Sequence, residues 1–147
     1  MLIYLDNCCY NRPYDDQTQM KISLETQAKL YIQDCIRKGK YELISSFVLL
    51  YEISKNPNMT NSQSILNYIQ RYSSLFVSDA ELPNIELIAA DIQNSGIKKM
   101  DAWHVACAIL AKADYFLTTD KRLLKYNSDK LMLLNPIEFI SVMEEQS

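Results

Sequence analysis

Four short, largely apolar runs, at 2–5, 41–44, 115–118 and 131–134, constrain the fold of this chain more than any other feature. Each is largely apolar rather than alternating, which suits parallel strands covered on both faces. Between them, apolar residues recur at helical steps: Ala28, Tyr31, Ile32 and Cys35; Ile65, Ile69 and Tyr72; Ile85, Ile88, Ala89 and Ile92. That spacing puts each set on one helix face. Strands alternating with helices predict an α/β layered domain.

The 147 residues suffice for one domain, 1–147, with a sizeable core and no need of disulfides. No repeat or Pro/Gly-rich linker divides it. The polar stretch 56–62 reads as a loop between two helices, with Thr60 or Asn61 as the cap of the second; its sequon-like Asn58-Met59-Thr60 reads as a turn. Pro83 suits the first turn of the following helix and Gly96 its end. Cys8, Cys9, Cys35 and Cys107 lack paired metal-binding spacing and are expected to be reduced thiols. Asp6 interrupts the opening apolar run, and no stretch approaches the roughly 20 apolar residues of a membrane span. A soluble, cytoplasmic protein without membrane attachment is the expectation.

In open α/β sheets, ligands bind beyond the carboxyl ends of the strands. Asp6 directly follows the first run, and Asp120 comes two residues after Thr118. Glu52 falls in a helix expected to begin near Ser46, about 9 Å along its axis, still able to face the same edge. From Met100 to Ala111 the chain is apolar nearly all round except for Asp101 and His104, three apart and hence on one face. Such a helix is buried, and a buried ionised carboxylate is costly unless paired or metal-bound. Asp101 therefore either caps its helix or joins the other acids. His104, the only histidine, cannot build a histidine-rich metal site, and a structural hydrogen bond from its ring is expected.

The ordered segments Leu5-Asp6-Asn7, Leu50-Tyr51-Glu52-Ile53, Met100-Asp101-Ala102-Trp103-His104-Val105-Ala106 and Phe116-Leu117-Thr118-Thr119-Asp120 together resemble the four acidic motifs of PIN-domain nucleases, over essentially the whole chain. The resemblance implies a three-layer α/β/α PIN-like fold with a central, mainly parallel sheet. It also implies a Mg²⁺- or Mn²⁺-dependent site cleaving single-stranded RNA. Many small stand-alone members are toxins of the VapC kind, which implies an antitoxin partner and a homodimer. Asn7 stands where the family often has Thr or Ser, and Trp103 where an aliphatic residue is commoner, which reads as a large core side chain. The segment from Tyr10 to Gln17 looks like a subgroup feature.

A net charge of −3 gives no global attraction to a polyanion. Local placement differs: Arg12, Lys55, Lys98, Lys99, Lys121 and Arg122 all lie close in sequence to the acids, where they could flank a scissile phosphate. Tyr10 and Tyr14 could stack on unpaired bases or pack on the surface. The expected chemistry is hydrolysis, with Asp6, Asp101 and Asp120 holding Mg²⁺, and with Glu52 orienting water or completing a second metal site. Asn7 and Thr118 would hydrogen-bond a carboxylate or phosphate. Rival readings are a PIN-like scaffold without catalysis and another Mg²⁺-dependent α/β phosphohydrolase. A haloacid-dehalogenase-like enzyme would want an aspartate where Cys8 stands, and a response-regulator receiver does not suit Asp101 on a buried helix.

Overall fold

The computed structural model describes residues 1–146. β1 (Leu2–Leu5) runs into a short helix, α1 (Asn7–Asn11), a 3₁₀ turn (Arg12–Tyr14) and the long α2 (Met20–Arg37). β2 (Glu42–Ser46) leads directly into α3 (Phe47–Ser54), followed by α4 (Met59–Tyr72) and β3 (Ser73–Val77). Beyond a 3₁₀ turn (Asp79–Glu81) come α5 (Leu82–Asn94), α6 (Lys99–Leu110), β4 (Tyr115–Leu117), α7 (Lys121–Leu124), β5 (Met132–Leu134) and α8 (Pro136–Gln146). The strands form one sheet in the order β3-β2-β1-β4-β5, every pairing parallel.

The largely apolar strands have the predicted cause: both faces are covered. On β1, Ile3 and Leu5 enter a core shared with Ile32 and Ile36 of α2, Leu49 and Ile53 of α3, and Phe139 of α8. Tyr4, between them, points to the other face and a core built from Ile85, Ala89, Ala102, Val105 and Phe116. Its ring stacks on that of Phe116 at 5.2 Å between centroids. Side chains of this size contribute about 1.5–3 kcal/mol each on full burial. No helix among the described residues is long and apolar enough to cross a membrane.

Local caps depart from expectation in places. Asn58, within the supposed turn, caps α4 by accepting from the Asn61 amide, so neither Thr60 nor Asn61 does so. Gly96 follows the end of α5 at φ 100°, a conformation glycine adopts without strain. Tyr10 lies on helix α1, not in a loop, and is buried in the core, which removes it from any base-stacking role; Tyr14 remains exposed. Trp103 is only half-buried, its ring edge-on to Phe47 and beneath the Lys99 ammonium.

β3 and α8 were not anticipated. β3 is an edge strand with exposed Leu75 and Phe76, and its register against β2 skips Ser74 between Leu43 and Ile44. Ahead of α8, Asn135 Oδ1 accepts from the Ile137 amide while its own amide N–H donates to Glu138, a reciprocal cap. The Asn135 side-chain amide also donates to Glu25 of α2, which is fully buried. Arg12 Nε lies 3.0 Å from the other Glu25 oxygen, although its N–H is not aimed for a hydrogen bond, and Arg12 also holds Asp15 at 3.0 Å.

Glu25 thus joins the first turn, α2 and the start of α8. Glu25→Ala leaves the Asn135 side-chain amide unpaired and Arg12 with Asp15 alone, and should lower unfolding free energy by about 1–3 kcal/mol. Urea denaturation measures this; a loss under about 1 kcal/mol would show that the two groups find water instead.

Candidate active site

The acids meet at the carboxyl edge of the sheet. Asp6, one residue past β1, is buried, and its backbone N–H still pairs with Leu117 O at 2.9 Å. Its Oδ1 caps α1 by accepting from the Asn7 amide at 2.8 Å, and its Oδ2 accepts from the Thr118 hydroxyl at 2.9 Å. Thr118 Oγ1 in turn accepts from the Asp120 amide at 3.1 Å, so one buried hydroxyl ties Asp6 to the turn that carries Asp120. Asp120 Oδ1 caps α7 through the amides of Arg122 and Leu123. The Asn7 side chain pairs with Asn11 one helical turn on, at 3.1 Å.

Glu52 sits on the second turn of α3, whose start is fixed where β2 ends: Ser46 caps the helix by accepting from the Leu49 amide at 3.1 Å. Asp101 is the third residue of α6 and makes no capping hydrogen bond, so of its two sequence readings the cap is not the one adopted. Burial, then the negative charges of Asp6 and Asp120, push the Asp101 carboxyl up to about 6; Glu52 adds to the rise and His104 opposes it. That set of influences locates all four acids in one electrostatic neighbourhood.

His104, one turn along α6, is fully buried. Its Nε2 hydrogen-bonds Glu52 Oε1 and lies 3.9 Å from Asp6 Oδ1, while Nδ1 is 2.6 Å from the Tyr4 hydroxyl. Burial pulls the ring's pKa down, but the Glu52 hydrogen bond and the charges of Asp6, Glu52 and Asp101 outweigh it, leaving a net rise. Asp6, Glu52 and His104 each present a ligating atom within 4.8 Å of the others.

The cations divide. Lys98 and Arg122 line a groove of about 230 Å³ together with Asp101 and Asp120. Lys55 borders a second groove with Glu52, Asn7, Asn11 and Tyr14, its ammonium over the Tyr51 ring. Lys121 is exposed at the start of α7, and Lys99 stands over Trp103. Arg12 is the exception: its guanidinium is half-buried against Glu25 and Asp15, which corrects its placement on the cleft rim as a free phosphate contact. A larger groove, about 460 Å³, opens around Asp114 and Lys130, before β4 and β5 and so at the sheet's other end.

Three neighbours of the acids carried no sequence signal of their own. Tyr4 reads as a strand residue, Ser46 as the start of a helix, and Cys8 as an ordinary thiol. Cys8 Sγ lies 3.4 Å from Asp6 Oδ2 and 3.3 Å from Thr118 Oγ1.

An all-parallel α/β sheet with carboxylates gathered past its strand ends defines the class of this domain. No family model matches the sequence, and no curated protein does. Solved structures do match in three dimensions. A chain in VapBC2 from Rickettsia felis, bound to a promoter DNA fragment, superposes with TM-score 0.58 at 17% identity, over 92% of this chain and 98% of that one. FitAcB from Neisseria gonorrhoeae gives 0.59 at 18% identity over 92% and 98%, and FitAB bound to an IR36 DNA fragment gives 0.59 at 18% over 91% and 94%. The chain has the PIN-like fold that its four acidic motifs resemble.

The donor set suits a hard divalent cation: carboxylate oxygens dominate, and burial with the charges of Asp6, Asp120 and Glu52 raises the Asp101 carboxyl against the opposing pull of His104. Without such an ion, an Asp101 pKa raised from 3.8 to about 6 favours folding fully below 3.8, and that contribution is lost as pH rises through 6. In chelator, the melting temperature of the wild type should fall relative to Asp101→Asn across that window. Millimolar Mg²⁺ should restore the wild type above it and do less for the variant. Parallel curves for the two proteins would remove Asp101 from the charge cluster.

Proposed function

We propose that this chain is a metal-dependent endoribonuclease that cleaves single-stranded RNA and serves as the toxin of a toxin–antitoxin pair. The observation that carries the nuclease reading is geometric: Asp6 and Glu52 lie in ligating range of each other, Asp101 and Asp120 share one groove, and Thr118 ties Asp6 to the turn of Asp120. Burial and the charges of the other three acids raise the Asp101 carboxyl, and a bound cation would offset that cost.

Asp6, Asp101 and Asp120 would hold Mg²⁺ or Mn²⁺. When bound, the ion polarises a phosphate oxygen and lowers the pKa of an attacking water. Thr118 keeps Asp6 oriented through its hydroxyl, and Glu52 presents a carboxylate to water at the cleft, its side chain 28% exposed. Lys98 and Arg122, sharing the groove with Asp101 and Asp120, supply contacts for phosphates on either side of the cut. Tyr14, exposed beside Asn7 and Glu52, offers a face for an unpaired base. The antitoxin assignment draws on the likeness to VapBC2 and FitAB; a neighbouring small reading frame with a DNA-binding segment and an amphipathic tail would support it, and its product should inhibit cleavage.

Asp6→Asn tests the chemistry. Asparagine keeps an oxygen for the Thr118 hydroxyl and removes the charge. A loss of about 3–4 kcal/mol of transition-state stabilisation slows turnover roughly a hundred- to a thousandfold. Purified wild type and variant are compared on unstructured RNA with Mn²⁺, with circular dichroism and melting to verify the fold. Equal cleavage by both would reject Asp6 as a catalytic residue, and no cleavage by folded wild type would reject the nuclease reading.

A further inference from the structure

A single file of hydrogen bonds leads from a backbone amide to the acidic cleft. The Leu49 amide donates to Ser46 Oγ at 3.1 Å; Ser46 Oγ and the Tyr4 hydroxyl are 2.7 Å apart; Tyr4 and His104 Nδ1 are 2.6 Å apart; His104 Nε2 meets Glu52 Oε1. Ser46, Tyr4 and His104 are all buried, on three different elements: the junction of β2 with α3, β1, and α6.

The two ends of this file set its direction. A backbone N–H can only donate, and an ionised carboxylate can only accept. Between them, each hydroxyl has one proton to give, and a neutral imidazole has one donor and one acceptor nitrogen. For the neutral ring, with Leu49 donating at one end and Glu52 accepting at the other, one assignment gives every link a single proton. Ser46 donates to Tyr4, Tyr4 donates to Nδ1, and Nε2–H donates to Glu52. Burial holds the Tyr4 phenol well above its ordinary pKa, so its proton stays in place.

We propose that His104 is a positioning residue: Tyr4 and Ser46 hold its neutral ring as the Nε2–H tautomer, and that N–H fixes Glu52 by one carboxylate oxygen so that the other faces the cleft. The Glu52 carboxylate has no other hydrogen-bond partner among the described residues, and its side chain is long enough to swing into solvent without this anchor. The competing use of the same atoms is a metal ligand: Nε2 stands with Asp6 and Glu52 in ligating range, but as a ligand it would have to give up its proton. The proposal rests on the nuclease reading only where activity is measured.

As the chain has one histidine, ¹⁵N-labelled imidazole gives a single pair of ring-nitrogen signals in the full-length protein. At a pH where the ring is neutral, the expected spectrum has Nε2 protonated and Nδ1 bare, unchanged by millimolar Mg²⁺. Tyr4→Phe, which keeps the core ring and removes the donor, should let the Nδ1–H tautomer appear. A bare Nε2 in the wild type, or one that loses its proton when Mg²⁺ is added, would overturn the proposal whatever the protein cleaves.

If the wild type cleaves RNA, Tyr4→Phe should lower kcat about ten- to a hundredfold with little change in KM, as for partners that orient a ligating or reacting group. His104→Gln, whose amide can still donate near the Nε2 position, should retain more activity than His104→Asn. His104→Asn combined with Glu52→Gln should lose no more than Glu52→Gln alone. Multiplying losses in that pair, with both proteins folded, would show that His104 acts independently of Glu52 and overturn the assignment.

Discussion

Mutual repulsion among carboxylates is the constraint around which this structure is arranged. Asp6, Glu52, Asp101 and Asp120 arrive from four separate elements, and among the described residues none has a lysine or arginine bonded to it. Asp6 and Asp120 are met by neutral donors, the amides at the starts of α1 and α7 and the Thr118 hydroxyl, and Glu52 by the His104 ring. Such donors stabilise the ionised form without cancelling its charge. A divalent cation bound there would offset the repulsion among them.

The chain also keeps its largest buried ion pair away from that cleft. Arg12 is close to Asp6 in sequence, yet the 3₁₀ turn after α1 carries its guanidinium to Glu25 and Asp15. A basic side chain turned toward the acids would compete with a metal ion. Where it sits, Arg12 fastens the first turn to α2, and Asn135 brings α8 to the same carboxylate.

Much of the fold was legible because burial on both faces forces strands to be largely apolar. β1 coincides with its sequence run, and β2, β4 and β5 differ from theirs by a residue or two at their ends, since ladder geometry decides where a strand stops. β3 escaped notice because it is an edge strand that opens with two serines and leaves Leu75 and Phe76 exposed. α8 did carry a signal, the Asn135-Pro136 pair with Glu138 behind it, the spacing of a reciprocal cap. In the cleft, Asp6, Glu52, Asp101 and Asp120 could be named from their positions, because charge in apolar surroundings stands out. Tyr4 and Ser46 could not: their role depends on a contact spanning 100 residues from Tyr4 to His104, and nothing local distinguishes a hydroxyl that finds a partner across the sheet. Arg12 was misjudged for the converse reason, that nearness in sequence says little about where a long side chain is drawn.

The skipped residue in β3 has its own consequence. A parallel edge with exposed Leu75 and Phe76 would otherwise offer a template for another strand. The irregularity at Ser74 breaks the even spacing of pleats along that edge and turns part of it out of line, so an incoming strand would match only a short segment before falling out of step. The sheet is thereby bounded on this side by a mismatch of pitch, where a covering helix or a row of charges would serve elsewhere.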